Sequence, residues 1–235
     1  MNKTAIITGG ATGIGFATAK ILAKNKYNIV IACRNIENLK QAKKEIKEID
    51  PNISIEFQQC DVAKINDIKN LFKFTVEKFQ QINCLINAAA VLDKELFINL
   101  NIDNWQKLMD INVKGTVLSC HEAFKFMKNN GGNIVNISSY GAILNTDKFP
   151  GLSSYITSKF AINGLTEALA VEGKDFNIRV NAIAPGAVDT KMLKKAAPQL
   201  NTSTKPDDIA KTICYIISSN AKHINGSIII INSNE

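Results

Sequence analysis

Tyr155 and Lys159 are the two residues whose types and spacing point most directly to chemistry. Pro150 and Gly151 punctuate the chain before them, Ser153 or Ser154 is placed to cap a helix, and Ile156, Phe160, Ala161 and Leu165 recur at helical spacing. On a helix, residues four apart share one face, with Cβ atoms about 5–6 Å apart. An ammonium fixed beside a phenol favours the phenolate, and each tenfold gain in acidity over a free phenol, which titrates near about pH 10, eases ionisation by about 1.4 kcal/mol. That is how a tyrosine gives and takes a proton near neutral pH. Alone, the pair equally fits a surface i,i+4 contact in a lysine-rich chain, so its surroundings have to decide.

A second constellation is Gly9-Gly10-Ala11-Thr12-Gly13-Ile14-Gly15. It follows a short apolar strand, Lys3 to Thr8, and precedes helical periodicity from Phe16 to Ala23. Strand, glycine loop and helix form the sequence sign of a nucleotide-binding β-α unit, in which the backbone approaches a pyrophosphate met by N–H groups and the positive helix end. The spacing is T-G-x-x-x-G-x-G rather than G-x-G-x-x-G. A second strand, Asn28 to Cys33, runs into Arg34 with no carboxylate at its end. An acidic residue there would accept from a ribose 2′-OH, whereas a basic one accommodates a 2′-phosphate, so NADP(H) is preferred and NAD(H) is the alternative.

The elements that must position these groups alternate along the chain. A lysine-rich helix (Ile36 to Ile49), a strand (Ile53 to Gln59), a helix (Ile65 to Phe79) and a strand (Cys84 to Asn87) lead to a long helix expected over Asp103 to Met127. That helix contains Asn112, which costs helix stability and invites a kink. A strand from Asn133 to Ile137 ends in Ser138 and Ser139, a further one covers Ile178 to Ala184, and the run Ile228 to Ile231 reads as a last, fully buried strand. Near-continuous apolar strands alternating with helices imply a parallel sheet covered on both faces. Ligands bind at the carboxyl ends of such strands, which puts Ser139 on the same edge as the glycine loop.

With 235 residues, 46% of them hydrophobic, one domain spanning 1–235 is expected. No apolar run reaches membrane-spanning length and no signal-peptide pattern opens the chain, so a cytoplasmic location without membrane attachment is expected. The net charge of +7 invites a nucleic-acid reading, but Lys40, Lys43, Lys44 and Lys47 alternate with Glu37, Glu45 and Glu48 as on a solvated helix face. No nucleic-acid partner is expected. Five scattered cysteines and two distant histidines form no metal-ligand pattern, so no metal is expected.

Taken in order, Thr8-Gly9-x-x-x-Gly13-x-Gly15, Asp61, Asn87-Ala88-Ala89, Asn112, Ile137-Ser138-Ser139, Tyr155-x-x-x-Lys159, and Arg179-Val180-Asn181 through Pro185-Gly186 to Thr190 closely resemble the short-chain dehydrogenase/reductase family across essentially the whole chain. The resemblance implies an α/β, doubly wound, three-layer Rossmann-type fold with a central parallel sheet of about seven strands. It implies that Tyr155 exchanges a proton with the carbinol oxygen, that Ser139 holds that oxygen, and that Lys159 lowers the Tyr155 pKa and binds the nicotinamide ribose. Asn112 would anchor a water linking Lys159 to solvent. Gly9, Thr12, Gly13, Ile14 and Gly15 would meet the pyrophosphate, Asp61 and Val62 the adenine, and Asn87 and Ala88 the ribose region. Asn87 would also hold the adjoining sheet. Pro185, Gly186, Val188 and Thr190 would seat the nicotinamide.

Counting forward from Gly132 makes Ser139 the catalytic hydroxyl; counting back from Gly141 favours Ser138, and Ser139 is taken. The segment between Ser139 and Tyr155 is longer than usual by roughly Asn145-Thr146-Asp147-Lys148, Ala90 stands where the family usually has glycine, and the lid between Thr190 and Pro206 is short, with Met192, Leu193 and Leu200 as its apolar content. The expected activity is NADPH-preferring carbonyl reduction or alcohol oxidation of a small molecule, with 3-oxoacyl thioesters as one substrate class, by a homo-oligomer, tetramer or dimer. The alternative is a catalytically silent dinucleotide-binding sensor or scaffold.

Overall fold

The computed structural model describes residues 2–232. Strand β1 (Thr4–Thr8) leads into helix α1 (Gly13–Lys24), β2 (Asn28–Cys33) into α2 (Ile36–Ile49), and β3 (Ile55–Gln59) into α3 (Ile65–Phe79). After β4 (Cys84–Asn87) come α4 (Ile102–Met109) and α5 (Gly115–Met127), then β5 (Gly132–Ile137), α6 (Ser153–Glu172) and β6 (Ile178–Pro185). A short α7 (Lys191–Ala196), α8 (Pro206–Ile216) and β7 (Ile228–Ile231) follow. All strand pairs are parallel, in the order β3-β2-β1-β4-β5-β6-β7. The expected seven-stranded, three-layer α/β fold is thus observed.

Apolar side chains leave the central strands on both faces, which is why the strands read as unbroken hydrophobic runs. One face packs Ile7, Ile29, Ile31 and Ile86 against Leu22, Leu39, Ile46, Ile209 and Ile213 from α1, α2 and α8. The other packs Ile6, Val30, Leu85 and Ile134 against Leu71, Phe72, Ala123 and Met127 from α3 and α5, with Ala170 of α6. Strand order reverses between β1 and β4, and this switch point opens a crevice at the carboxyl ends.

Three local expectations are corrected. The helix expected from Asp103 to Met127 is two α-helices, α4 and α5, joined by a π-helical turn over Asp110–Lys114 that contains Asn112. The run Ile228 to Ile231 is not fully buried: β7 is the sheet's last strand and Ile230 is 47% exposed. An apolar run reports hydrophobic side chains, not whether a helix covers them. Helix α6 starts at Ser153 with Leu152 as its N-cap and no side-chain cap, so neither Ser153 nor Ser154 plays the capping part.

Candidate active site

The glycine loop is built for close backbone approach. Gly9 has φ of +67°, and a Cβ there would lie 2.7 Å from the backbone of Ala88 on the neighbouring strand connection. Gly13, at φ +55°, has open space before it, with only Thr190 Cγ2 within reach, 3.6 Å from where a Cβ would sit. That gap lies at the N-terminus of α1, whose first turn carries no acidic residue. A pyrophosphate fits it in sign: the first N–H groups of a helix lack intrahelical partners, the helix dipole favours an anion, and the first turn of α1 holds no carboxylate to repel one.

The gap belongs to a cleft of about 1090 Å³ along the carboxyl ends of the strands. Gly9, Thr12, Gly13, Ile14, Gly15, Arg34, Asp61, Val62, Ala88, Ser139, Tyr155, Lys159, Pro185, Gly186, Val188 and Thr190 all line it. Asn87 and Asn112 do not. Asn87 turns into the sheet, where its Nδ2 donates to Asn136 Oδ1 at 2.9 Å and to Cys120 Sγ at 3.4 Å. At one end of the cleft Arg34 is exposed, and its main-chain carbonyl accepts from Gln59 Nε2 at 2.8 Å. Asp61 is turned to its own loop, its Oδ1 accepting from Ala63 N at 3.2 Å.

At the other end, α6 brings up Tyr155 and Lys159. Burial pushes the Tyr155 phenol up to about 12, and the hydrogen-bonded Ser139 side chain partly offsets this. Lys159 Nζ lies 5.6 Å from the Tyr155 ring centroid and donates to Ile137 O at 2.7 Å. Burial draws its pKa down to about 8. Both groups lose hydration that would favour their charged forms, and the Lys159 ammonium donates to a main-chain carbonyl.

The two serines separate cleanly. Ser138 is buried at 1% exposure and donates to Asn163 Oδ1 at 2.6 Å, with a longer contact to Lys159 O at 3.4 Å. Ser139 lines the cleft and accepts from Gly141 N at 3.2 Å. Asn112, 1% exposed, takes the N–H of Val91 on Oδ1 at 2.8 Å and donates from Nδ2 to Val91 O at 2.9 Å and Ser158 Oγ at 3.1 Å. Its side chain clamps the Val91 backbone to α6. Ser158 in turn donates to Tyr155 O at 2.7 Å, so the π turn grips the helical turn that carries both reactive groups.

Sequence reasoning missed other lining residues. Lys20, Asn35 and Asn38 line the cleft along with Arg34, and its apolar lining includes Leu92, Phe149, Leu152 and Ile156 together with Met192, Leu193 and Leu200 of the lid. Ile156 was visible only as a helix-face residue, and Leu92 carried no signal at all. The inserted loop folds on itself: Lys148 Nζ donates to Ile143 O and Thr146 Oγ1, both at 2.6 Å. The lid base is fastened by Asp189, held down to about 2 by Lys194 and Lys205, each at 2.8 Å.

A doubly wound parallel sheet with a glycine cradle at its switch point and a Tyr-Lys-Ser cluster beside it defines a dinucleotide-dependent oxidoreductase of Rossmann type. The family model for short chain dehydrogenase matches residues 3–201, and the chain belongs to that family of nicotinamide-dependent enzymes acting on hydroxyl and carbonyl groups. Among curated relatives, a 3alpha-hydroxysteroid dehydrogenase of Mediterraneibacter gnavus is 32% identical, covering 97% of this chain and 94% of the relative. Carbonyl reductase family member 4 of Xenopus laevis is 32% identical over 98% of this chain and 97% of its own. A 3-oxoacyl-[acyl-carrier-protein] reductase of Bos taurus is 30% identical, with 98% and 97% covered. Among solved structures, levodione reductase superposes with a TM-score of 0.91 at 27% identity, covering 97% of this chain and 95% of that one. An actinorhodin polyketide ketoreductase with NADPH gives 0.90 at 23% identity, covering 99% and 96%, a likeness of fold.

Proposed function

We propose that the protein is an NADP(H)-preferring carbonyl reductase or alcohol dehydrogenase. The observation that carries this is the convergence of Tyr155, Ser139 and Lys159 on the same cleft that the glycine loop opens onto. A bound nicotinamide supplies or accepts a hydride at the substrate carbon. The Ser139 hydroxyl holds the substrate oxygen, and the Tyr155 hydroxyl gives it a proton in reduction or takes one in oxidation. Lys159, in its charged form, favours negative charge developing on the tyrosine oxygen. Asn112 acts at a distance, holding the helical turn of α6 through Ser158.

Arg34 supports NADP(H): its exposed guanidinium stands at the end of β2, where no carboxylate competes for a ribose hydroxyl. The apolar lining of Leu92, Phe149, Leu152 and Ile156 suits a hydrophobic ketone body, in line with the steroid and 3-oxoacyl substrates in the relatives' names. A silent sensor or scaffold would need the glycine loop alone, and gives no reason for a serine hydroxyl hydrogen-bonded to a half-buried tyrosine in the same cleft.

The test is NADPH oxidation with a panel of cyclic ketones, steroids and 3-oxoacyl thioesters. Tyr155→Phe is expected to lower kcat by roughly 10²–10⁴-fold while NADPH still binds. Full activity in that variant removes Tyr155 as proton donor. A silent panel with tight NADPH binding favours the sensor.

A further inference from the structure

Asn163 is a polar residue in the interior of α6, four positions beyond Lys159, on the face turned to the end of β5. Asparagine is a poor choice for a helix interior, where leucine or methionine would both propagate the helix and fill apolar space. Its amide is committed at both ends. Oδ1 accepts from Ser138 Oγ at 2.6 Å, and Nδ2 donates to Ala142 O at 2.8 Å. These partners bracket the turn that carries Ser139.

Inside that turn the bonds are local: Gly141 N donates to Ser139 Oγ at 3.2 Å, and Ala142 N donates to Ser139 O at 2.9 Å. They give the turn its shape but do not tie it to α6, where Tyr155 sits. The β5 end is anchored to β6 by Ser138 N donating to Ile183 O at 2.7 Å, and to α6 by Lys159 Nζ on Ile137 O. Both anchors precede Ser139. The far side of the turn is tied to α6 by Asn163 at Ala142 O, and one amide spans both sides.

We propose that Asn163 is a positioning residue that, through Ser138 and Ala142, sets the Ser139 hydroxyl against Tyr155. The inference rests on the oxidoreductase reading above, in which Ser139 and Tyr155 share the substrate oxygen. Asn163 does not line the cleft, so it reaches the chemistry only through the turn. Without it, the buried Ser138 hydroxyl keeps one long contact and the Ala142 carbonyl loses its side-chain donor, and the turn is free to shift by the few tenths of an ångström that hydrogen-bond alignment cannot absorb.

The experiment compares Asn163→Leu, chosen because leucine matches asparagine in shape and favours helix, with Asn163→Asp, which keeps the acceptor for Ser138 and loses the donor to Ala142. The readouts are kcat and KM for acetoacetyl-CoA reduction by NADPH, or for the most active ketone of the panel, NADPH affinity by fluorescence, the pH profile of the reverse oxidation, and amide hydrogen exchange across residues 138–143. Both variants are expected to keep wild-type NADPH affinity and lose roughly 10- to 100-fold in kcat. The rising limb of the oxidation profile should move to higher pH, because Tyr155 loses Ser139's help. Exchange should rise in 138–143 and nowhere else. A purely structural role would lower thermal stability without moving the pH limb. Unchanged kcat, or unchanged exchange in 138–143, in a folded Asn163→Leu protein overturns the proposal. If the wild-type enzyme turns over nothing, the oxidoreductase reading fails, and exchange alone then decides: localised loosening upholds the tether from Asn163 to the Ser139 turn, and unaltered exchange defeats that as well.

Discussion

At the scale of single residues, the site works by withholding water. Burial raises Tyr155 and lowers Lys159, so each is pushed toward its neutral form, and they titrate in the opposite order from free side chains. The proposed reduction takes a proton from Tyr155, which stays protonated up to its pKa of about 12, and uses a charged Lys159, which loses its charge as pH rises through about 8. The kcat/KM for reduction should therefore be flat below that value and fall above it, the limb belonging to Lys159 in the free enzyme. Lys159→Arg, whose guanidinium stays charged, should remove that limb even where overall activity drops. A limb at the same pH in the arginine variant would assign it to another group.

At the scale of elements, the site depends on irregularities inserted into regular structure. The π turn over Asp110–Lys114 exists where Asn112 reaches out to both backbone groups of Val91. Asn112→Ala leaves the half-buried Val91 N–H and C=O without their side-chain partner, at about 1–3 kcal/mol for each group left unsatisfied, while Ser158 keeps its bond to Tyr155 O. A fall in Tm with a parallel loss of kcat is expected, and an unchanged Tm would show that the clamp carries no stability. Gly9→Ala forces a Cβ against the Ala88 backbone at a positive φ, and should weaken dinucleotide binding more than it slows any bound complex. What the sequence made legible follows from the same distinction. Helices α2 and α3 and strands β2 and β4 begin and end where periodicity places them, because their amphipathic or apolar patterns are uninterrupted. Asn112 and Gly9 stood out as residues that regular elements disfavour. The π turn stayed hidden because its cause is a contact with Val91, 21 positions away. The clamp by Asn163 was equally silent: it depends on which turn α6 lies against, and no local pattern encodes that.

For the whole molecule, the sheet order explains both where a cofactor is expected and which edge strand lacks a neighbour among the described residues. The cradle at the switch point and Arg34 at the end of β2 lie on one cleft, so a dinucleotide seated there would join loops from both halves of the sheet. At a hundred times its Kd, NADPH should then stabilise the fold by about 2.7 kcal/mol, a rise in Tm of about 5–10 °C. NADH should do less at the same concentration, and Arg34→Ala should close the gap by weakening NADPH alone; an equal response in the wild type would overturn the NADP(H) preference. The far edge makes a separate demand. Strand β7 has no neighbour beyond it among the described residues, its Ile230 is half exposed, and edge strands with apolar side chains are a liability unless covered. A homo-oligomer that buries this edge answers that demand. Light scattering should give a mass of at least two chains, and Ile230→Lys should lower it; a wild-type monomer, or an oligomer indifferent to that change, would place the contact elsewhere or remove it.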